Sequence, residues 1–267
     1  MSALAAVAGW LRCPHCSDGL RLDGRTLRCP QGHAFDVARQ GYVNLLGRAA
    51  PRNADTAEMV AARDRFLQAG HYAPIADAIA EELRAAKRVL EVGAGTGHYL
   101  ARALGPDALG LATDVSVAAA RRAARAHPRV AAVVADTWAG LPVADGAVDA
   151  VLCVFAPRNP VEFRRVLADG GRIVVVVPEP GHLAELRAEH GLLDIADDKA
   201  ATVATAFGGK ARQRRVRYRL ELDAHAATDL VAMGPNAFHH SPRLAASSVT
   251  VDVSVLTITA PTGSPLL

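Results

Sequence analysis

Lysine is nearly missing from this chain. It stands only at positions 87, 199 and 210, so arginine supplies nearly all of the 30 basic side chains. Aromatic residues are also scarce, at 4%, whereas apolar residues reach 51%. The core must therefore be built from Ala, Val and Leu, a bias that suits a parallel sheet covered on both faces. No apolar run reaches the roughly 18 residues of a membrane-spanning helix. The N-terminus shows no charged segment followed by a cleavage site, so no secretory leader is expected. A net charge of +3 is too small to demand a polyanionic partner, and the distribution of charge has to decide. Cysteine occurs four times, three of them before residue 30. That clustering reads as metal binding in a reducing compartment, which places the protein in the cytoplasm.

Those three cysteines are Cys13, Cys16 and Cys29, and His33 completes a C-x2-C…C-x3-H pattern. Three thiolates and one imidazole can close a tetrahedron around Zn²⁺ with no open position, the mark of a structural site. Two disulfides or scattered core cysteines are the competing readings. His15 lies inside the first knuckle and is expected to point outward. A module of about 40 residues buries little core and needs such a staple. Residues 1–47 are therefore read as a zinc-binding module, with a hairpin formed by 20–22 and 26–28.

Residues 48–86 read as a linker followed by helices at 57–69 and 74–85 that pack on a cofactor site, with Asp55 or Thr56 as the first helix's cap. From residue 87 the chain alternates. Strands are predicted at 88–92, 109–113, 130–135, 148–154 and 172–177, with helices at 97–104, 116–126 and 160–167 between them. This is the pattern of a doubly wound α/β sheet. Late strands at 214–222 and 249–259 flank a helix at 224–233 and are expected to form an antiparallel edge pair. Residues 191–213 are the least legible.

The run Val89-Leu90-Glu91-Val92-Gly93-Ala94-Gly95-Thr96-Gly97 is a strand entering a glycine turn and a helix. Glycines admit a ligand to the backbone, and the helix start presents free N–H groups. A dinucleotide site uses a similar turn. Later acids discriminate between the two. Asp114, ending the second strand, can bind a ribose diol. Asp136, ending the third, can accept from an adenine amino group, with Thr137 and Trp138 beside the base. Glu91 is acidic where a pyrophosphate would be repelled and a cationic cofactor favoured. Together they point to S-adenosylmethionine, residues 87–267 forming its methyltransferase domain. Cys153 reads as a core residue of the fourth strand.

Further motifs add a resemblance. Cys29-Pro30-Gln31-Gly32-His33 runs into Phe35-Asp36 and then Gly41-Tyr42-Val43-Asn44-Leu45-Leu46. Thr56-Ala57-Glu58-Met59, Arg63 and Phe66-Leu67-Gln68-Ala69-Gly70-His71-Tyr72 follow. In these segments the chain resembles the bacterial 23S ribosomal RNA guanine-N1 methyltransferases of RlmA type, a group that includes the macrolide (tylosin) resistance methyltransferases. The likeness is good over 11–180 and looser beyond. It implies a seven-stranded, Rossmann-like class I methyltransferase sheet with a small N-terminal zinc domain. It also implies a 23S ribosomal RNA hairpin as substrate and a homodimer. By matching position it implies that Tyr72, Gly97, His98 and His182 contact the cofactor. Met233 to His240 occupies the place of a substrate-proximal loop and looks more like the resistance branch.

Guanine N1 carries a proton on the Watson–Crick edge, so the target base must be unpaired or flipped. The segment Phe155-Ala156-Pro157-Arg158 after the fourth strand sits where this fold places target-base contacts. It holds no carboxylate, and no general base is named. Arg12, Arg21, Arg25, Arg28 and Arg39 of the zinc module, Arg48 and Arg52 of the linker, and the run from Lys210 to Arg219 are candidate phosphate contacts. For the last run, a solvated edge strand is the competing reading. Two other functions remain open: a small-molecule methyltransferase with an accessory zinc ribbon, and a non-catalytic binding module on an inactive scaffold.

Overall fold

The computed structural model describes residues 2–51, 53–190, 194–208, 211–234 and 244–259. Ser2 caps a short helix, α1 (Ala3–Val7), by accepting the Ala5 N–H, and a 3-10 turn follows at Ala8–Trp10. Strands β1 (Arg21–Asp23), β2 (Thr26–Arg28) and β3 (Ala34–Asp36) form a three-stranded antiparallel sheet. The hairpin expected from sequence is its first two strands. The third was not foreseen, because Ala34–Asp36 shows no alternation longer than one step.

The next strand is β4 (Val43–Asn44), followed by α2 (Ala57–Gln68) and α3 (Ala73–Leu83). Thr56 caps α2, its hydroxyl accepting the Met59 N–H, and Pro74 lies in the first turn of α3. The alternating region comprises β5 (Arg88–Val92), α4 (His98–Ala103), β6 (Leu109–Asp114), α5 (Val117–Ala123), β7 (Val130–Val134), β8 (Val148–Val154), α6 (Pro160–Val166) and β9 (Leu167–Pro178). Then come α7 (Ala184–His190), α8 (Lys199–Ala206), β10 (Arg212–Leu222), α9 (Ala224–Ala232) and β11 (Ser247–Thr259).

The main sheet has the order β10-β11-β9-β8-β5-β6-β7-β4. Strands β4 to β9 pair in parallel, while β11 runs antiparallel to both β9 and β10. The class I arrangement and the antiparallel edge pair are as expected. The strand number is corrected: eight strands are present among the described residues instead of seven. The extra one is β4, which leaves the zinc module and adds to the β7 edge through Val43 and Asn44. Two residues are too short for a periodic signal, so only the tertiary pairing reveals it. Strand β9 begins five residues before the predicted 172, its register broken between Val148 and Ala150. Helices α7 and α8 also went unread, because their apolar spacing is weak.

The sheet separates two cores. Side chains of Val89, Leu152, Val154 and Val174 face α3, α4 and α9. Their neighbours Leu90, Val151, Cys153 and Val175 face the other way, onto the zinc module and α6. Cys153 is thus the core residue its sequence suggested. Leu4, Val7, Leu11, Leu20 and Leu27 join that second core. The Arg12 N–H donates to Pro142 O at 3.0 Å and the Ala144 N–H to Trp10 O at 2.7 Å. The N-terminal module is therefore cemented to the sheet by shared apolar burial. Among the described residues, no helix is long and apolar enough to cross a membrane.

The arginines of β10 all have carboxylates of their own chain. Arg212 pairs with Glu82 and Arg214 with Glu81. Arg215 grips Asp252 at 2.7 and 2.6 Å, with Arg217 at 3.7 Å from the same group. Arg219 meets Glu185 at 2.5 Å. This is the solvated, charge-paired edge strand, and not a free row of phosphate grips. Lys210 and Arg52 lie outside the described residues.

The shared core has a thermodynamic consequence. Leu11 is fully buried between module and sheet. Leu11→Ala should lower global stability by about 2–5 kcal/mol. Urea unfolding followed by circular dichroism should still show one transition. A separate early transition for the first 40 residues would contradict a shared core.

Candidate functional site

Two turns carry the metal candidates. The Cys13 N–H donates to Asp18 O and the Ser17 N–H to Cys13 O, closing the first knuckle. The Gly32 N–H to Cys29 O bond, with Gly32 at φ 88°, closes the second. The two knuckles converge. Sγ of Cys13, Cys16 and Cys29 and a ring nitrogen of His33 all lie within 4.8 Å of one another. Cys16 Sγ is 3.6 Å from Cys29 Sγ, and His33 Nδ1 is 3.5 and 3.3 Å from Cys13 and Cys29 Sγ. Zinc bonds of about 2.3 Å to sulfur and about 2.0 Å to nitrogen give tetrahedral edges of about 3.8 and about 3.5 Å. The donor set therefore fits Zn²⁺ closely and leaves no open position. His15 is excluded from the set. Its exposed ring packs on Phe35 at 5.8 Å and on His33 at 5.0 Å.

The second site lies at the carboxyl ends of β5 to β8. Gly93 and Gly95 take φ values of 67° and 54°. A Cβ on Gly93 would stand 2.3 Å from Cβ of Ala156, so the glycine turn and the segment after β8 touch. Asp114 is folded into the turn. Its Oδ2 accepts the Gly95 N–H at 2.8 Å, and its Oδ1 accepts the Ser116 N–H at 2.9 Å. Burial raises its pKa. Asp136 Oδ1 accepts the Trp138 N–H at 2.9 Å, while Arg48 of the linker reaches its Oδ2. The Thr137 carbonyl accepts from Asn159 at 3.1 Å, tying this edge to the start of α6. Trp138 itself is 66% exposed.

Glu91 does not face this opening. It is 1% exposed, and its Oε2 accepts the Leu100 N–H at 3.2 Å, holding α4 beneath the turn. Burial pushes its carboxyl well above the ordinary range, so its place is structural support and its charge is not offered to the cleft. His98 also stands apart. It lines a cleft of about 330 Å³ with Asp64, Arg122 and Arg125, on a side of the glycine turn reached through Thr96 and not lined by Asp114.

Tyr72, Phe155 and His182 come together from three distant parts of the sequence. Their ring centroids are 6.4 Å (Tyr72–Phe155), 6.2 Å (Tyr72–His182) and 5.9 Å (Phe155–His182) apart. Phe155 takes φ 52°, a left-handed conformation that costs a non-glycine residue about 1–2 kcal/mol. The strain lifts its ring to 40% exposure. Cys153 Sγ, 3.5 Å from the carbonyls of both Ala156 and Pro157, anchors the segment from below. Arg158 is half-buried beside it. His182 Nδ1 accepts the Asp252 N–H at 3.2 Å. Burial first, then the nearby Arg187, lowers its pKa to about 4.

Three residues that the sequence did not place at the cofactor also reach this edge: Arg48, a candidate phosphate contact, Asp55, a candidate cap of α2, and Arg63, which entered only with the family resemblance. Arg63 lies over Gly95 and pairs with Asp55 at 2.5 Å. None of those readings pointed to the strand ends. Only the fold of 48–68 across the strand ends brings them in. Glycines a Cβ would crowd, flanked by two strand-end carboxylates and the Arg63 guanidinium, suit a nucleoside carrying an amino-acid end. That donor set fits S-adenosylmethionine. Of the late substrate-proximal segment, 235–240 lie outside the described residues.

Comparison with known proteins agrees with this geometry. Residues 11–48 match the family described as RlmA, N-terminal, a zinc ribbon, and residues 89–172 match a methyltransferase domain. The chain is 50% identical over 247 residues to the 23S rRNA (guanine(748)-N(1))-methyltransferase of Streptomyces fradiae, covering 88% of both chains. A Micromonospora griseorubida protein named for 23S rRNA guanine-N1 methylation is 47% identical over 94% of each. Among solved structures, a chain of the complex between the Haloferax volcanii Trm112 methyltransferase activator and a methyltransferase superposes with a TM-score of 0.50. It has 19% identity and covers 78% of this chain and 98% of that one.

His182 gives a pH test. Its folded pKa of about 4 lies below the unfolded value of about 6.5. Between those values the unfolded chain binds the extra proton, so stability rises with pH across this window and is lost as pH falls through it. The contribution is about 3 kcal/mol. Denaturant melts of wild type and His182→Gln from pH 7 to 4 should show a shallower slope in the variant. Identical slopes would contradict the buried neutral imidazole.

Proposed function

We propose, because the chain belongs to the 23S ribosomal RNA guanine-N1 methyltransferase family, that it transfers the methyl group of S-adenosylmethionine to N1 of a guanine in a 23S ribosomal RNA hairpin. The observation that carries this reading furthest is the contact of Gly93 with Ala156. It joins the glycine turn to the segment whose strained Phe155 presents an aromatic face.

S-adenosylmethionine, when bound, supplies a methyl group already activated on a sulfonium. Gly93, Gly95 and Gly97 would shape the turn that holds it, packed under Ala156, Arg63 and Ala123, Asp114 would accept from the ribose diol, and Asp136 with Thr137 would serve the adenine edge. Tyr72 and His182 line the side nearest Phe155, while Glu91 holds α4 in place and His98 flanks its start. The unpaired guanine stacks on Phe155, and the carbonyls of Ala156 and Pro157, with Arg158, read its Watson–Crick edge. Alignment of N1 with the methyl group supplies much of the acceleration. His182, neutral at pH 7, brings no competing positive charge to the sulfonium's side.

The zinc held by Cys13, Cys16, Cys29 and His33 keeps residues 1–47 folded as an RNA-gripping module, and 48–86 carry the chain from there to the methyltransferase domain at 87–267. Among the described residues Arg21 and Arg39 of the module have no carboxylate partner, which leaves them free for phosphates. The protein acts in the cytoplasm as a homodimer, and methylation of the hairpin confers macrolide resistance. Growth of a sensitive host on a macrolide, with and without the gene, tests that last point.

The activity itself is tested with labelled S-adenosylmethionine and purified 23S ribosomal RNA. Label should enter the RNA, and nuclease digestion of the RNA beforehand should abolish transfer. Transfer to small molecules after digestion would favour a small-molecule methyltransferase instead. Asp114→Ala should weaken cofactor binding by about 1–3 kcal/mol. Unchanged calorimetric affinity would remove Asp114 from the site.

A further inference from the structure

Resting on the cofactor reading above, we propose that Arg63 and Asp55 form the receptor for the amino-acid end of S-adenosylmethionine. Arg63 takes the α-carboxylate and Asp55 the α-ammonium.

Three observations support this. The first is position. The Arg63 guanidinium lies directly over the glycine turn, where a Cβ on Gly95 would stand 2.9 Å from Nη1. The second is how the pair is built in. Gly95 N–H donates to Asp114 Oδ2, and Asp114 Oδ1 accepts the Ser116 N–H. The Ser116 hydroxyl donates to Asp55 O at 2.7 Å, and Asp55 Oδ2 meets Arg63 Nη1 at 2.5 Å. A closed ring thus runs from the turn through β6 and the linker back to the turn. Met233 O accepts from Arg63 Nη2 at 2.6 Å and holds the guanidinium from the far side. Both charged side chains are 23% exposed, so they stand at a mouth and are not sealed in a core.

The third observation is charge. Asp114 and Asp136 on this cleft edge are carboxylates that would repel an α-carboxylate, and Arg48, the other cation there, is already paired with Asp136. Arg63 is the cation over the turn. Only some of the five N–H donors of a guanidinium are committed to Asp55 and Met233. An amino acid carries its carboxylate and ammonium on one carbon, so a cation and an anion side by side match it with the correct polarity. The competing role is a purely structural staple tying the linker to α2.

Truncated ligands separate the two roles. S-adenosylhomocysteine carries both charged groups, decarboxylated S-adenosylmethionine keeps only the ammonium, and 5′-methylthioadenosine has neither. Calorimetry on the full chain should show Arg63→Gln losing about tenfold to hundredfold in affinity for S-adenosylhomocysteine. Its affinity for the other two should be unchanged. Asp55→Asn should weaken S-adenosylhomocysteine and the decarboxylated compound but spare methylthioadenosine, whose retained binding also reports an intact fold. Equal losses for all three ligands, or no loss for any, would overturn the proposal. If neither variant folds, wild type decides: it must bind S-adenosylmethionine more tightly than the decarboxylated form, and equal affinities overturn the receptor. Failure of wild type to bind any adenosyl ligand would overturn the cofactor reading itself, and this inference with it.

Discussion

The glycine turn after β5 is the constraint on which the rest of the structure depends. Its backbone is approached closely from two sides, by a rigid neighbour over Gly93 and by the end of a longer side chain over Gly95. Ala156 lies 2.3 Å from where a Gly93 Cβ would be, and Arg63 lies 2.9 Å from where a Gly95 Cβ would be. Because the turn has no side chains there, four distant segments can meet: the linker, the start of β5's helix, the strand-end acids and the segment after β8. Any larger residue would push one of them away. The strain stored at Phe155, whose φ is 52°, is held by the same contact and by Cys153 beneath it.

Electrostatics are divided between fold and function. The arginine-rich β10 has the appearance of an RNA-binding row in sequence, yet its side chains close on Glu81, Glu82, Asp252 and Glu185. Those pairs stiffen an edge strand and, through Asp252, help fix the backbone that orients His182. Asp252 and Glu82 are buried carboxylates that need their arginines, whereas the exposed Arg214–Glu81 and Arg219–Glu185 pairs contribute little stability each. Their value lies in keeping a long edge from pairing with another chain. Unpaired cations sit elsewhere, on the zinc module, where phosphate contact remains open to them.

Much of the fold was legible because its signals are local. Alternating βα units, Thr56 as a cap and the C-x2-C…C-x3-H spacing each dictate structure within a few residues. Asp114 could be placed at a strand end from pattern alone. The parts that were not legible depend on partners far away in the chain. Strand β4 exists only because Val43 and Asn44 find β7. Glu91 reads as an acid facing a cofactor, but burial turns it to Leu100. Asp55 reads locally as a cap candidate and Arg63 only as part of the family resemblance, so neither points to the glycine turn. Their meeting at Gly95 is a property of the tertiary fold. The zinc module is similar: its ligands are plain in sequence, whereas its shared core with the sheet through Leu11 and Val143 is not.

The account's central claim is that this scaffold delivers a methyl group to the Watson–Crick edge of one guanine. Primer extension across 23S ribosomal RNA reads that edge directly, because a methyl on N1 blocks base pairing. RNA treated with the purified protein and S-adenosylmethionine should show one new strong stop at a hairpin guanine, absent when cofactor is omitted. Full-length extension without a new stop, from RNA that has demonstrably been incubated with cofactor-loaded protein, would contradict the account.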